Sequence, residues 1–298
     1  MTRPIDHLCA SWTNSRIRAA GASAGVLRLA VLSLFLISLI PAGVAQGADS
    51  PSGLTWKPAG VGAGPSPRLH AAMAFDPDTG TTLLFGGRSG SQVLGDSWTW
   101  DGTTWTLRAP ATSPPPLESA AIAYDDATHQ ILLFGGLGPA GTVNNATWAW
   151  DGTTWTALDP TTSPRARFSA SVALNPATHA VVLFGGFALP GVPLGDTWTW
   201  DGKNWTQANP AGSPPARGGA GTASDPSGVG VVIFGGSTGS QALGDTWTWD
   251  GATWTQRNPS TAPSPRVDAG MAVESGAQTI LLFGGSPGTG SPLGDTWA

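Results

Sequence analysis

The chain has 298 residues, among them 42 Gly, 26 Pro and 15 Trp, and only 11% of its residues are charged. Such a composition suits many short strands joined by tight turns and leaves little room for long amphipathic helices. From Gln46 onward ten Lys and Arg face eighteen Asp and Glu, a formal charge of −8, which makes nucleic acid and anionic membrane surfaces poor partners.

At the amino terminus Arg3, Arg16, Arg18 and Arg28 lead into an apolar run from Leu29 to Ile40, followed by Pro41 and the small residues Ala42, Gly43, Val44 and Ala45. This pattern predicts an export leader over residues 1–45, cleaved after Ala45, with residues 46–53 as a short linker. The competing reading is a retained membrane anchor over Leu29 to Ala45, at the short end of a span. Cys9 precedes the apolar run and leaves with the leader, so the mature chain has no thiol and no disulfide framework. The expected location is secreted or extracytoplasmic, or else anchored by that one segment.

Beyond residue 53 the chain repeats itself. Phe-Gly-Gly begins at Phe85, Phe134, Phe184, Phe234 and Phe283, at intervals of 49, 50, 50 and 49 residues, and Trp-Asp-Gly recurs at Trp100, Trp150, Trp200 and Trp249. Each unit holds four strand-like runs, as in SAAIAYD, QILLFGG, ATWAWDG and TTWTAL of the second repeat. The Asp-Gly pairs at Asp101, Asp151, Asp201 and Asp250 mark hairpins between runs three and four. Trp98 and Trp100 alternate, so both rings leave one sheet face, and a face so aromatic must be buried. The first run is rich in Ala and Ser, and the second ends in a diglycine that permits close backbone approach. Four strands with small residues inside and tryptophan outside make a wedge, and wedges around an axis make a propeller.

A period near 50, a diglycine after an apolar strand, then Asp-x-Trp-x-Trp-Asp and a further Trp resemble the Kelch repeat family over Leu54 to Ala298. Five repeats predict an all-β, five-bladed propeller, and the resemblance implies that first strands line the central channel and fourth strands are outermost. In one repeat Asn145 is read as replacing the third-strand Asp. Trp105, Trp155, Trp205 and Trp254 each lie 12 residues before Leu117, Arg167, Arg217 and Arg266, and Trp56 lies 12 before Arg68. Trp56 therefore belongs to a fourth strand. The last unit stops inside its third strand, so Leu54 to Lys57 are expected to complete the last blade and leave no open edge. The other possibility is a fragment of a six- or seven-bladed relative.

Little enzymatic chemistry is legible. Galactose oxidase, a relative by resemblance, uses a copper site with two histidines, two tyrosines and a cysteine cross-link; beyond residue 45 this chain offers Tyr124 alone, no cysteine, and His70, His129 and His179. No cofactor or metal is expected, and the histidines read as solvated turn residues. Gly-x-Ser-x-Gly occurs around Ser237 and Ser286, but neither is followed by the helix that a nucleophile elbow requires, and both read as glycine-rich loops. Asp76-Pro77-Asp78-Thr79-Gly80 reads as turn chemistry rather than a calcium loop.

One column differs in kind. Arg68, Arg167, Arg217 and Arg266 open four of five first strands, and Leu117, with Glu118 beside it, breaks the series. If first strands line the channel, these arginines surround one mouth and suit recognition of a carboxylate, as matching arginines do in Kelch domains that bind acidic peptides. The plain alternative is that each arginine pairs with a local carboxylate or carbonyl and positions its loop. The expected function is a non-catalytic module that binds a protein or glycan ligand, acidic in character, at the channel mouth and the variable loops after the diglycines. The alternatives are a sugar-acid isomerase with Glu118, Asp268 and His70 as acid–base groups, or a purely structural module.

Overall fold

A computed structural model describes residue 62, residues 64–274 and residues 278–298. The leader, the linker and the closing strand expected at Leu54 to Lys57 lie outside the described residues.

The fold is a five-bladed propeller of antiparallel strands. Blade 1 pairs Ala72–Asp76, Thr81–Ser89, Gln92–Trp100 and Trp105–Arg108 in that order from the axis outward. Blade 2 repeats it with Ala121–Asp125, Gln130–Phe134, Thr147–Trp150 and Trp155–Leu158. Blade 3 uses Ser171–Asn175, Ala180–Phe184, Thr197–Trp200 and Trp205–Ala208. Blade 4 uses Gly221–Ser224, Val231–Phe234, Thr246–Trp249 and Trp254–Arg257. In blade 5 the described residues give three strands, Gly270–Val273, Ile280–Phe283 and Thr296–Trp297. First strands of successive blades are neighbours, which puts them on the axis.

Tryptophan holds the wedges together. In each Asp-Gly hairpin the carboxylate accepts the two backbone N–H groups that follow the glycine, as Asp151 does from Thr153 and Thr154 at 2.8 Å. The turn sets Trp150 opposite Trp155 with ring centroids 5.4 Å apart. Both rings are 1% exposed and pack on Leu83 and Phe85 of the preceding blade. The Trp155 indole also donates to Ser97 of that blade at 2.9 Å. The same bond recurs from Trp205 to Thr147 at 3.0 Å and from Trp254 to Thr197 at 2.9 Å. Blades 2, 3 and 4 thus each deliver two indoles and one hydrogen bond to the blade before, burial worth several kcal/mol per junction, since an indole buries about 200 Å².

The seam between blade 5 and blade 1 is packed differently. Trp100 and Trp105 are only half-buried, and Phe75, whose counterpart in blade 2 is the half-buried Tyr124, is 58% exposed.

Candidate functional site

The arginine column fastens the frame. Leu117, Arg167, Arg217 and Arg266 are each gripped through the backbone by the preceding blade, as where Gly136 donates to the Arg167 carbonyl at 2.9 Å and the Arg167 N–H reaches Asn144 O at 3.1 Å; among the described residues Arg68 has no such grip. The approach is so close that a Cβ on Gly135 would lie 2.5 Å from the Arg167 carbonyl oxygen, so only glycine fits. The side chain turns into its own blade. Arg167 donates to Asp196 through two nitrogens at 2.6 and 2.7 Å, to Gly185 O at 2.8 Å and to Arg165 O at 3.1 Å. Arg68 with Asp96, Arg217 with Asp245 and Arg266 with Asp295 repeat the fork at 2.6 and 2.8 Å. Each aspartate also accepts its own strand's indole, for example Trp198 at 2.7 Å. Burial disfavours ionisation of Asp196, but the Arg167 bonds and charge outweigh it and hold the carboxyl below its usual range. Arg68 is 4% exposed and the other three are 1% exposed, so the four guanidinium groups do not converge on a shared cavity.

Blade 2 shows the same logic by omission. Its backbone bond at the third-strand position runs from Gly135 to Ala146 at 3.2 Å, where blade 3 has Gly185 to Asp196 at 3.1 Å. The residue in the aspartate's place is therefore Ala146, not Asn145. Leu117 and Ala146 remove both partners of the ion pair together, and Leu117, 2% exposed, joins the apolar core instead. Losing both is tolerable where losing one would strand a buried charge.

Two residues beyond the arginine column, the five first strands meet at the channel mouth. His70, Ser119, Ser169, Gly219 and Asp268 stand there with φ of 54, 53, 51, 65 and 54°. A one-way backbone ladder joins them: Asp268 N to Gly219 O at 2.8 Å, then Gly219 to Ser169, Ser169 to Ser119 and Ser119 to His70, each at 2.9 Å. Among the described residues no such bond joins His70 to Asp268, so the ladder ends at the seam. Left-handed backbone at four non-glycine residues costs about 1 kcal/mol or more each, strain of the kind that clusters at ligand clamps.

Around this ring the repetition breaks down. The position after each diglycine carries Arg88, Leu137, Phe187, Ser237 and Ser286, and these bridge to Leu69, Glu118, Phe168, Gly218 and Val267. Arg88 leans from blade 1 onto Glu118 of blade 2, its Nε 2.8 Å from Oε2 and its Nη2 in a short contact with Oε1. Glu118 is 1% exposed, and His70 Nδ1 approaches its Oε2 at 3.5 Å. Burial opposes the Glu118 charge, but the Arg88 and His70 bonds prevail and bring the carboxyl down to about 2. For His70 burial also disfavours the charged form, yet the Glu118 hydrogen bond and the charges of Asp268 and Glu118 outweigh both that and Arg88, so the imidazole titrates above its ordinary value. Asp268 is open to water through the channel but has protein on every side, and this crowding pushes its carboxyl up, with His70 offsetting part of the effect.

The structure therefore brings together His70, Glu118 and Asp268 of the candidate residues and keeps Arg68, Arg167, Arg217 and Arg266 apart, each in its blade. It adds Arg88, marked in the sequence only as the one charge in its column. His129 and His179 sit on the opposite face in the turns between first and second strands, with φ of 56 and 57°, contacting Asp78 and Asp126. Ser237 and Ser286 accept the N–H of Gly239 and Gly288 at 2.9 and 3.1 Å, as loop residues do. Among the described residues no group of three His, Cys, Asp or Glu is placed to hold a metal ion. A small cleft lined by Asp125, Thr128, Gln130 and Trp200 lies between blades 2 and 3 and holds none of the candidate residues.

Radial four-stranded wedges, inner-strand diglycines and tryptophan-bearing outer hairpins define a propeller of the Kelch class. The chain belongs to the Kelch-repeat family: the KLHDC2/KLHL20/DRC7 Kelch-repeats domain matches residues 50–217 and again 126–298. A search of curated proteins found no match. A Kelch propeller is the frame of a protein-binding or scaffold module.

Proposed function

We propose that this chain is a non-catalytic binding module, exported by way of residues 1–45, that seats a segment of a partner protein across the loop-bearing channel mouth. The observation that carries this reading is the departure from repetition there: on a frame whose four arginine pairs repeat the same bonds, Arg88 and Glu118 occupy columns that are apolar or small in the other blades, and His70 and Asp268 share a column whose other members are Ser, Ser and Gly. The loops beside them (residues 88–93, 137–144, 187–193, 237–242 and 286–292) are the most variable parts of the repeat, and Leu189 and Val192 stand 39% and 47% exposed on one of them.

Panning a random peptide library on the full chain and mapping the binders by amide hydrogen exchange tests this directly. Binders are expected to protect those loops and the residues of the mouth ring. Protection confined to the Asp-Gly turns of the opposite face, or selection of glycans in place of peptides, would overturn the reading. The nearby pair of His70 and Asp268, both titrating above their ordinary values, favours one second reading, an isomerase of exported sugar acids. Turnover by the full chain that His70→Gln and Asp268→Asn abolish would establish it.

A further inference from the structure

The charges of the mouth do not cancel evenly. Arg88 is spent on Glu118, and His70 leans on the same carboxylate. The arginines below are spent on four aspartates. What remains is Asp268. Its carboxylate takes no hydrogen bond from any described side chain, stands open to the channel, and is turned toward Gly219, where a Cβ would come within 2.6 Å of its Oδ1. Glycine at that one place in the ring makes room for the carboxylate. Further round the ring stand Ser169 and Ser119, whose hydroxyls bond nothing among the described residues, and the Asp268 carbonyl accepts no N–H of the ladder.

Resting on the reading that the mouth is the binding site, we infer that its ligand presents a primary ammonium group to Asp268 rather than a carboxylate to the arginines. One carboxylate, two hydroxyls and a carbonyl are dispersed acceptors. They suit the three tetrahedral donors of an ammonium better than the planar fork of a guanidinium, and among the described residues of the ring an anion finds no uncommitted cation. The ammonium is either a lysine side chain or a free amino terminus of the partner.

The His70 imidazole is the reporter, because the charge of Asp268 adds to the Glu118 bond in holding its protonation up, and a cation on Asp268 would cancel that added part. Titrating the full chain with n-butylammonium chloride, followed by the His70 imidazole resonance, should lower the His70 pKa saturably, and sodium butyrate should leave it unchanged. Asp268→Asn should weaken the response at least about tenfold, the usual loss for a charge-assisted bond, while Asp268→Glu restores part of it. Nα-acetyl-lysine methylamide against glycinamide then separates side chain from amino terminus. Butyrate binding, or a butylammonium response that survives Asp268→Asn, would overturn the inference. Failure here is distinct from failure of the parent reading: library peptides that protect the mouth yet carry no amine would sink the ammonium and leave the binding site standing.

Discussion

Arg167 and Ser169 are two residues apart on the segment leading into one first strand, and so are Leu117 and Ser119, Arg217 and Gly219, Arg266 and Asp268. The first member of each pair is sealed in the frame; the second stands at the mouth in left-handed backbone, strained in every case but Gly219. The first column is almost uniform, and where it changes, its partner changes with it. The second column is different in every blade but two. Repetition in this molecule marks what the frame requires, and its failure marks where the frame has been given over to something else.

The largest effect expected is on the sealed column. Arg167→Ala leaves Asp196 beside a buried hole and should cost about 3–5 kcal/mol, read as a lower urea midpoint; Arg167→Leu combined with Asp196→Ala, which copies Leu117 and Ala146, should cost clearly less. Equal losses would mean that pairing is irrelevant and only volume matters. Next is the seam. By the rule seen at three junctions, Trp56 should pack on Phe234 and donate to Thr246, so a chain beginning at Gly60 should melt well below one beginning at Gln46, by about 3–5 kcal/mol for the tryptophan alone. Similar melting of the two would show that residues 54–57 do not complete blade 5.

Acid should act on the same contrast. The Arg266 bond draws the Asp295 carboxyl down to about 2, and Glu118 lies as low. A carboxyl whose folded pKa is depressed contributes stability that is complete above its unfolded value near 4 and lost as pH falls through the folded one. Thermal midpoints should therefore drop between about pH 4 and pH 2, and the Arg266→Leu, Asp295→Ala double variant should show a shallower drop. The smallest effect is a gain. Trp200 donates to Asp125 at 3.0 Å, whereas the matching Trp249 Nε1 and the Nδ2 of Asn175, which holds the repeat position of Asp125, are both buried without partners. Asn175→Asp supplies the missing acceptor and should raise stability by about 1 kcal/mol in a thermal melt.

The fold was legible because strand period, turn residues and the 50-residue step agree with one another. The role of the arginines was half legible. Their column could be counted, but burial cannot, and the joint absence of arginine and aspartate in blade 2 is visible only when Ala146, not Asn145, is aligned with Asp196. His70, Glu118 and Asp268 could be named as polar residues near the arginines. Ser119, Ser169 and Gly219 could not, because a left-handed serine looks like any other in sequence, and the ring exists only once five distant strands share an axis.

Among the described residues the backbone ladder at the mouth runs in a single sense from Asp268 round to His70 and stops there, which makes this ring mechanically a split washer. Four junctions share the same fastening, so outward strain on the ring gathers at the fifth, where Phe75, Trp100 and Trp105 are least covered. Any molecule that grips both lips of that slit acts as a clasp: it tightens every blade at once, and its arrival should register in the melting of strands far from the mouth.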